Sequence, residues 1–399
     1  MRAPRARFGL VVAATTTLAA LIACGDNALS DFAPSDDGDG GSSGADGGLG
    51  PPEDGVGSAR GVVIVHAASF PAFRLCFSAY PELPPQPDLA VMPEANVVGV
   101  EIGSLVRIPP LERPPGEVYV IAQRKVTAGP AEATKTCGEL LDPTQGELFD
   151  INDYNVAGEL TEPLGVANVG VLAITGCGGL GFIAPLGVSQ EECGPSYDAS
   201  YGGLEAKTLT LVPSRAATAT SLPVQVVHLS TALEAQRGPG EVVDMTFGAF
   251  DDSGADGLAQ SVARELALFE ASPTADLSLD HGSESMYGTH GFRIALRAAD
   301  GGADATFAHD QSLAEVQQLS AHQAVPTTYY SAASSYALLL LGDPRVAPTY
   351  ADGGTNERYD RRRAIHLLAV PVKEPTDAGD APAIGDAGEG PGDANGSAP

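Results

Sequence analysis

The chain has 399 residues, 43% of them apolar, enough for a sizeable core, yet it holds no Trp and 4 Met beside 48 Gly and 31 Pro. Short elements joined by many turns follow from such a composition. A formal net charge of −29 excludes a nucleic-acid partner, because phosphate binding needs clustered Lys and Arg, and it disfavours adhesion to anionic headgroups.

Arg2, Arg5 and Arg7 precede an apolar run from Gly9 to Ala20, and Leu21-Ile22-Ala23-Cys24 follows. A basic head, a short apolar middle and a small residue at the cut site read as a secretory signal over residues 1–23. The run is shorter than the roughly 20 apolar residues of a membrane-spanning helix. Its ending resembles the lipobox of bacterial lipoproteins, which implies acylation of Cys24 as the new N-terminus. Several acyl chains would then hold the protein to a membrane, where one chain binds only marginally. Gly25 after the cysteine favours the outer membrane of the cell envelope, with the body facing the periplasm or the surface.

Residues 24–59 form an acidic Gly/Ser-rich tether with almost nothing to bury, and residues 374–399 a second acidic, disordered tail. Asp36 to Asp39 lack the alternating register of a calcium loop, so no metal or other cofactor is expected.

Between the tails strand signals dominate. Val62 to His66, Glu117 to Ile121, Val169 to Thr175, Thr208 to Val212, Phe292 to Arg297, Ala337 to Leu341 and Ile365 to Val370 are β-branched or alternating runs. Two helices are expected among them. Leu258, Val262, Leu266 and Phe269 recur at helical spacing, and Ser312 with Glu315 forms a capping box ahead of Val316 and Leu319. Neither alternates regularly with strands, so a parallel βαβ sheet is not expected.

Four cysteines remain beside Cys24, and an even number in an exported chain reads as two disulfides with three possible connectivities. Cys177 with Cys193 is expected because turn residues flank that short segment, and Cys76 with Cys137 because it ties an early strand to a later loop. All four lie in one half, so reduction should destabilise that half and spare the other.

Val62-Val63-Ile64-Val65-His66-Ala67-Ala68-Ser69 is echoed 162 residues later by Val224-Gln225-Val226-Val227-His228-Leu229-Ser230-Thr231. Two domain starts follow, one after the tether and one after a linker at 214–223. The fold expected is therefore mainly β: two tandem antiparallel β-sandwich (Ig-like) domains, 60–213 and 224–373, with short inserted helices and disordered tails. The Val-His-Ala-Ala-Ser opening, the Cys76 strand, Pro115-Gly116-Glu117-Val118-Tyr119, and Tyr336 to Leu341 before Gly342-Asp343-Pro344 resemble the bacterial envelope domain of unknown function numbered 4397. That resemblance implies tandem β-sandwich modules on secreted or lipid-anchored proteins. It carries over no catalytic residue, and Ser69-Phe70-Pro71-Ala72 departs from the family's Ser-Pro-Asp-Ala-Pro.

Candidate chemistry is sparse. Gly176-Cys177-Gly178-Gly179-Leu180-Gly181 matches the dinucleotide glycine pattern, but Pro185 sits where the required helix should be established, so a glycine-rich turn beside a disulfide is the reading. His66 and His228 occupy matching strand ends and are expected to bond nearby backbone groups. His281, His290, His309, His322 and His366 fall in unrelated contexts without a His-Glu-x-x-His pattern. Ser283 and Ser285 are not in a nucleophile elbow. Arg358, Arg361, Arg362 and Arg363 form the one basic cluster, suited either to an acidic glycan or phosphate group or to neutralising nearby carboxylates. The expectation is a non-enzymatic, lipid-anchored envelope protein with a structural or recognition role and a surface glycan or protein as partner. An exported hydrolase or carbohydrate-active enzyme, its site assembled from loops, is the alternative.

Overall fold

Val62, Val63, Ile64 and Val65 are all buried, as in a strand covered on both faces rather than one. In the computed structural model they belong to β1 (Gly61–His66), which pairs antiparallel with β3 (Leu105–Ile108) and parallel with β6 (Val169–Gly178). With β7 (Gly202–Leu211) these strands make one sheet in the order β3-β1-β6-β7. A smaller sheet, β2-β4-β5, is built from β2 (Phe73–Phe77), β4 (Gly116–Ala122) and β5 (Tyr154–Leu160). Val62, Ile64, Leu172 and Ile174 meet Phe73, Leu75, Val118 and Val120 in the first core. The structure describes residues 59–88, 99–122, 135–142, 154–179, 193–194, 197–198, 200, 202–215, 217–218, 220–250, 260–279, 284–299, 305–320, 330, 334–346 and 362–373. The signal with Cys24, the tether up to residue 58 and the tail at 374–399 lie outside them.

The second half repeats the wiring. β8 (Ser221–His228) pairs parallel with β14 (Ser335–Leu341), and β11 (Ala275–Ser278) and β15 (His366–Val372) complete the order β11-β8-β14-β15. Its companion sheet is β10-β9-β12-β13, from β9 (Glu241–Ala249), β10 (Gln260–Ala263), β12 (His290–Ala298) and β13 (Ala305–Ser312). Val224, Val226, Leu338 and Leu340 meet Val243, Met245, Phe247, Phe292 and Ile294 in the second core.

Side chains alternate across a strand, so every other residue of the inner sheets points the opposite way. Val63, Val65, Val171 and Ala173 pack against Val227, Leu339, Leu341, Leu368 and Val370 in a third core between the two inner sheets. The body is thus four β layers deep. The chain is mainly β, as expected, and the described strands pair antiparallel except β1 with β6 and β8 with β14. Those two parallel pairs join strands far apart in the chain, so no hairpin signal foretells them. Of the linker expected at 214–223, residues 221–223 already belong to β8, and the Ser214 amide donates to Ser335 Oγ at 3.0 Å.

Among the described residues four short helices punctuate the sheets: α1 (Cys137–Leu141), α2 (Thr231–Gln236), α3 (Glu284–Thr289) and α4 (Leu313–Ser320). The capping box before α4 forms, with the Glu315 amide donating to Ser312 Oγ at 3.2 Å and the Ser312 amide to Glu315 Oε2 at 2.9 Å. The helix expected around Leu258 to Phe269 does not. Val262 lies in β10, paired with β9, while Glu265 and Phe269 have φ of 55° and 62°, outside the helical region. Val262 and Leu266 still enter the second core and Phe269 packs against the third. From Val262 to Phe269 the helical spacing is the product of a strand followed by a folded-back loop; Leu258 lies outside the described residues.

Cys76 in β2 pairs with Cys137 at the start of α1, and Cys177 in β6 with Cys193, with Cα separations of 5.5 and 5.0 Å, inside the bridging range. Cys76 and Ile121 face away from the first core, and the disulfide clamps α1 over them.

Candidate functional site

The carboxyl ends of β1, β6, β8 and β14 converge on a cleft of about 360 Å³ where the two halves meet. His66 to Ser69 line one side and Ser230 to Ala232 the other, so both copies of the echoed motif contribute. Gly342 follows β14 at φ 94°, and a Cβ there would lie 1.9 Å from the Ala364 carbonyl oxygen. Gly176 holds the matching place in β6 at φ 86°, 2.0 Å from the Gly203 oxygen. A glycine at both positions lets the neighbouring strand close in, because L side chains avoid this conformation.

The glycine pattern at 176–181 therefore serves the sheet: Gly176 and Gly178 extend β6 instead of turning away from it. Leu180, Gly181 and Pro185 lie outside the described residues.

The paired histidines are equivalent at one nitrogen and differ at the other. His66 Nδ1 accepts from the Ala68 amide at 3.4 Å and Nε2 faces the Pro71 carbonyl at 3.2 Å. Burial pushes its pKa down to about 4, so at neutral pH the ring is uncharged and donates to Pro71. His228 Nδ1 accepts from the Ser230 amide at 3.3 Å, while Nε2 lies 3.7 Å from Glu234 Oε2. That ring, with help from Arg237, holds the Glu234 carboxylate below its usual range. Ser230 Oγ accepts from the Leu233 amide at 3.0 Å and donates to the Gly342 carbonyl at 2.6 Å. It caps α2 and is not aimed at the His228 ring as a nucleophile would be.

The basic cluster reaches the cleft in part. Arg362 and Arg363 line it, and Arg345, not singled out by sequence, joins them. Arg358 and Arg361 lie outside the described residues. Arg345 holds Asp343 through Nε at 2.9 Å and Nη2 at 2.6 Å. Arg362 is buried and pairs with Glu101 of the first half. Beside that pair, His366 lies between the Ala364 and Gly103 carbonyls at 2.8 and 2.9 Å, and burial pushes its pKa to about 4. A Cβ on Gly103 would come within 1.9 Å of the Arg362 carbonyl oxygen. Polar and backbone contacts thus seal the rim of the third core. Glu101 and Arg362 are 261 residues apart, and no local signal marks their meeting.

The remaining candidates do not gather here. His290 contacts Thr289 Oγ1 at 3.2 Å, and burial lowers the pKa of His309. His281, His322 and Ser283 lie outside the described residues. Among the described residues no three His, Cys, Asp or Glu side chains cluster as a metal site. No family model and no curated protein matches the chain.

Proposed function

We propose that this is an exported, lipid-anchored envelope protein whose two-module body recognises a ligand or partner without transforming it. One observation carries the reading. The cleft is built from equivalent strand ends of both halves, and the polar side chains best placed for catalysis beside it, His66 and Ser230, are already committed to backbone groups. The anchor rests on the lipobox-like Leu21-Ile22-Ala23-Cys24. Two disulfides support folding in an oxidising compartment outside the cytoplasm. Among the described residues no helix is long and apolar enough to cross a membrane.

Cys24→Ser tests the anchor. Metabolic labelling with a palmitate analogue should vanish and the protein should leave membrane fractions; labelling that persists would end the lipobox reading. For the role, a broad hydrolase screen on the mature chain should find no turnover that tracks the purified protein. Turnover abolished by Glu234→Gln would replace recognition with catalysis.

A further inference from the structure

We propose that His366 works an acid-sensitive clasp between the two halves, holding the seam closed while its ring is uncharged and loosening it when the ring takes up a proton. The inference goes beyond the recognition reading and does not depend on what the cleft binds.

Placement is the first reason. His366 opens β15, a strand of the second half, yet its Nε2 meets the Gly103 carbonyl of the first half at 2.9 Å. Arg362 reaches across the same seam to Glu101. The fit is tight: a Cβ on Gly103 would lie 1.9 Å from the Arg362 carbonyl oxygen and 2.8 Å from His366 Cε1. Close-packed groups transmit a change rather than absorb it, so a change in this ring is felt by both halves.

The count of donors is the second. His366 Nδ1 faces the Ala364 carbonyl at 2.8 Å, so both ring nitrogens meet acceptors. A neutral imidazole carries one N–H and an imidazolium two. At neutral pH the ring therefore donates to one carbonyl and turns a lone pair toward the other. His66 and His228, also buried, avoid this conflict because Nδ1 of each accepts from an amide. Of these three rings only His366 has a place for a second proton built into its contacts.

What surrounds the ring is the third. Burial opposes a charge on it, and the Arg362 guanidinium beside it adds to that opposition. His309 of β13 faces the same ring and is itself held toward the neutral form by burial, against the pull of Glu315 and Asp310. Glu101 is engaged by Arg362, and next along the rim the Asp343 amide donates to the Arg363 carbonyl at 2.8 Å. A proton on His366 thus sets a second cation against Arg362 at the seam. The closed ring titrates at about 4, and a ring released to water at about 6.5. The open seam takes the proton first, so closure is complete above pH about 6.5 and is lost as the pH falls toward 4. Between pH 7 and pH 5 the closed-to-open ratio drops about 20-fold through this group. Gly103 and Arg362 also line the cleft, so the same loosening reshapes it.

The test is amide exchange, followed by mass spectrometry on the detergent-solubilised mature chain and corrected for the intrinsic pH dependence of exchange. Protection of the peptide 362–372 should fall about 20-fold from pH 7 to pH 5. His366→Gln keeps one donor for the seam and takes up no proton, so it should lose most of that fall. His66→Gln, inside the first half, should leave it in place. An NMR titration of the wild-type histidine ring protons should place the His366 midpoint near 4, which decides the matter even where His366→Gln is unprotected at pH 7. Protection indifferent to pH, an equal fall in a folded His366→Gln, or a His366 midpoint near 6.5 in the folded protein would overturn the proposal.

Discussion

The two halves share one wiring and are held together internally by different means. Each has an inner sheet whose first strand runs parallel to a late one, an outer sheet packed on it, and a buried histidine at the same strand end. The first half is cross-linked by two disulfides. The second has no described cysteine and uses side-chain volume: Tyr287 stacks on Tyr330 at 5.7 Å, Tyr330 meets Tyr336 at 5.6 Å, and capped α4 covers β15. Among the described residues the second core holds 25 buried apolar side chains against 19 in the first. A smaller core is compensated by cross-links, in line with disulfide use in small exported domains. The shared third core then ties the two solutions together.

The largest effect should come from reduction. Closing loops of 61 and 16 residues stabilises by about 4 and about 3 kcal/mol in the chain-entropy description, although part of the effect is enthalpic. Sequence alone expects the second half to be spared. The third core makes that expectation too simple, because unfolding the first half exposes Val227, Leu339 and Leu368 of the second. Thermal unfolding with and without dithiothreitol should show one transition moved down as a whole. Two transitions, the upper one unmoved, would show that the halves are energetically independent.

A smaller effect separates the cores from each other. Leu338 points into the second core and Leu339 into the shared one, and both are buried. Truncation of either to Ala should cost about 2–5 kcal/mol. Only Leu339→Ala should also speed amide exchange in β6, a strand of the other half. Equal protection of β6 in both variants would deny the coupling.

The smallest concerns the histidine corners. His66 in the folded protein has its pKa near 4 through burial, against 6.5 unfolded, so below pH 6.5 the unfolded state binds the extra proton. Stability from this group is complete above the unfolded pKa and is lost as pH falls toward 4, by about 2 kcal/mol between pH 7 and pH 5. His66→Gln should remove that increment from denaturation curves measured at the two pH values. An unchanged pH slope would mean that His66 is protonated in the folded state as well.

Much of this architecture is legible before folding is considered. The runs Val62–Val65 and Leu338–Leu341, the echo ending in His66 and His228, the Ser312–Glu315 cap and the cysteine pairs all show in the sequence. Each depends on neighbours in the chain, on strand periodicity or, for the cysteines, on their even number in an exported chain. β13 was missed because its pattern is that of a polar edge strand, and the helix read at Leu258 to Phe269 failed because helical spacing does not distinguish a helix from a strand and a loop whose side chains are buried in two different cores. An uninterrupted apolar run also announces burial on both faces without saying what covers the second. Only the tertiary structure decided that each inner sheet covers the other, and that Glu101 and Arg362 meet at the rim. Those contacts join residues hundreds of positions apart, and their energies exist only once two separately patterned apolar faces have found each other.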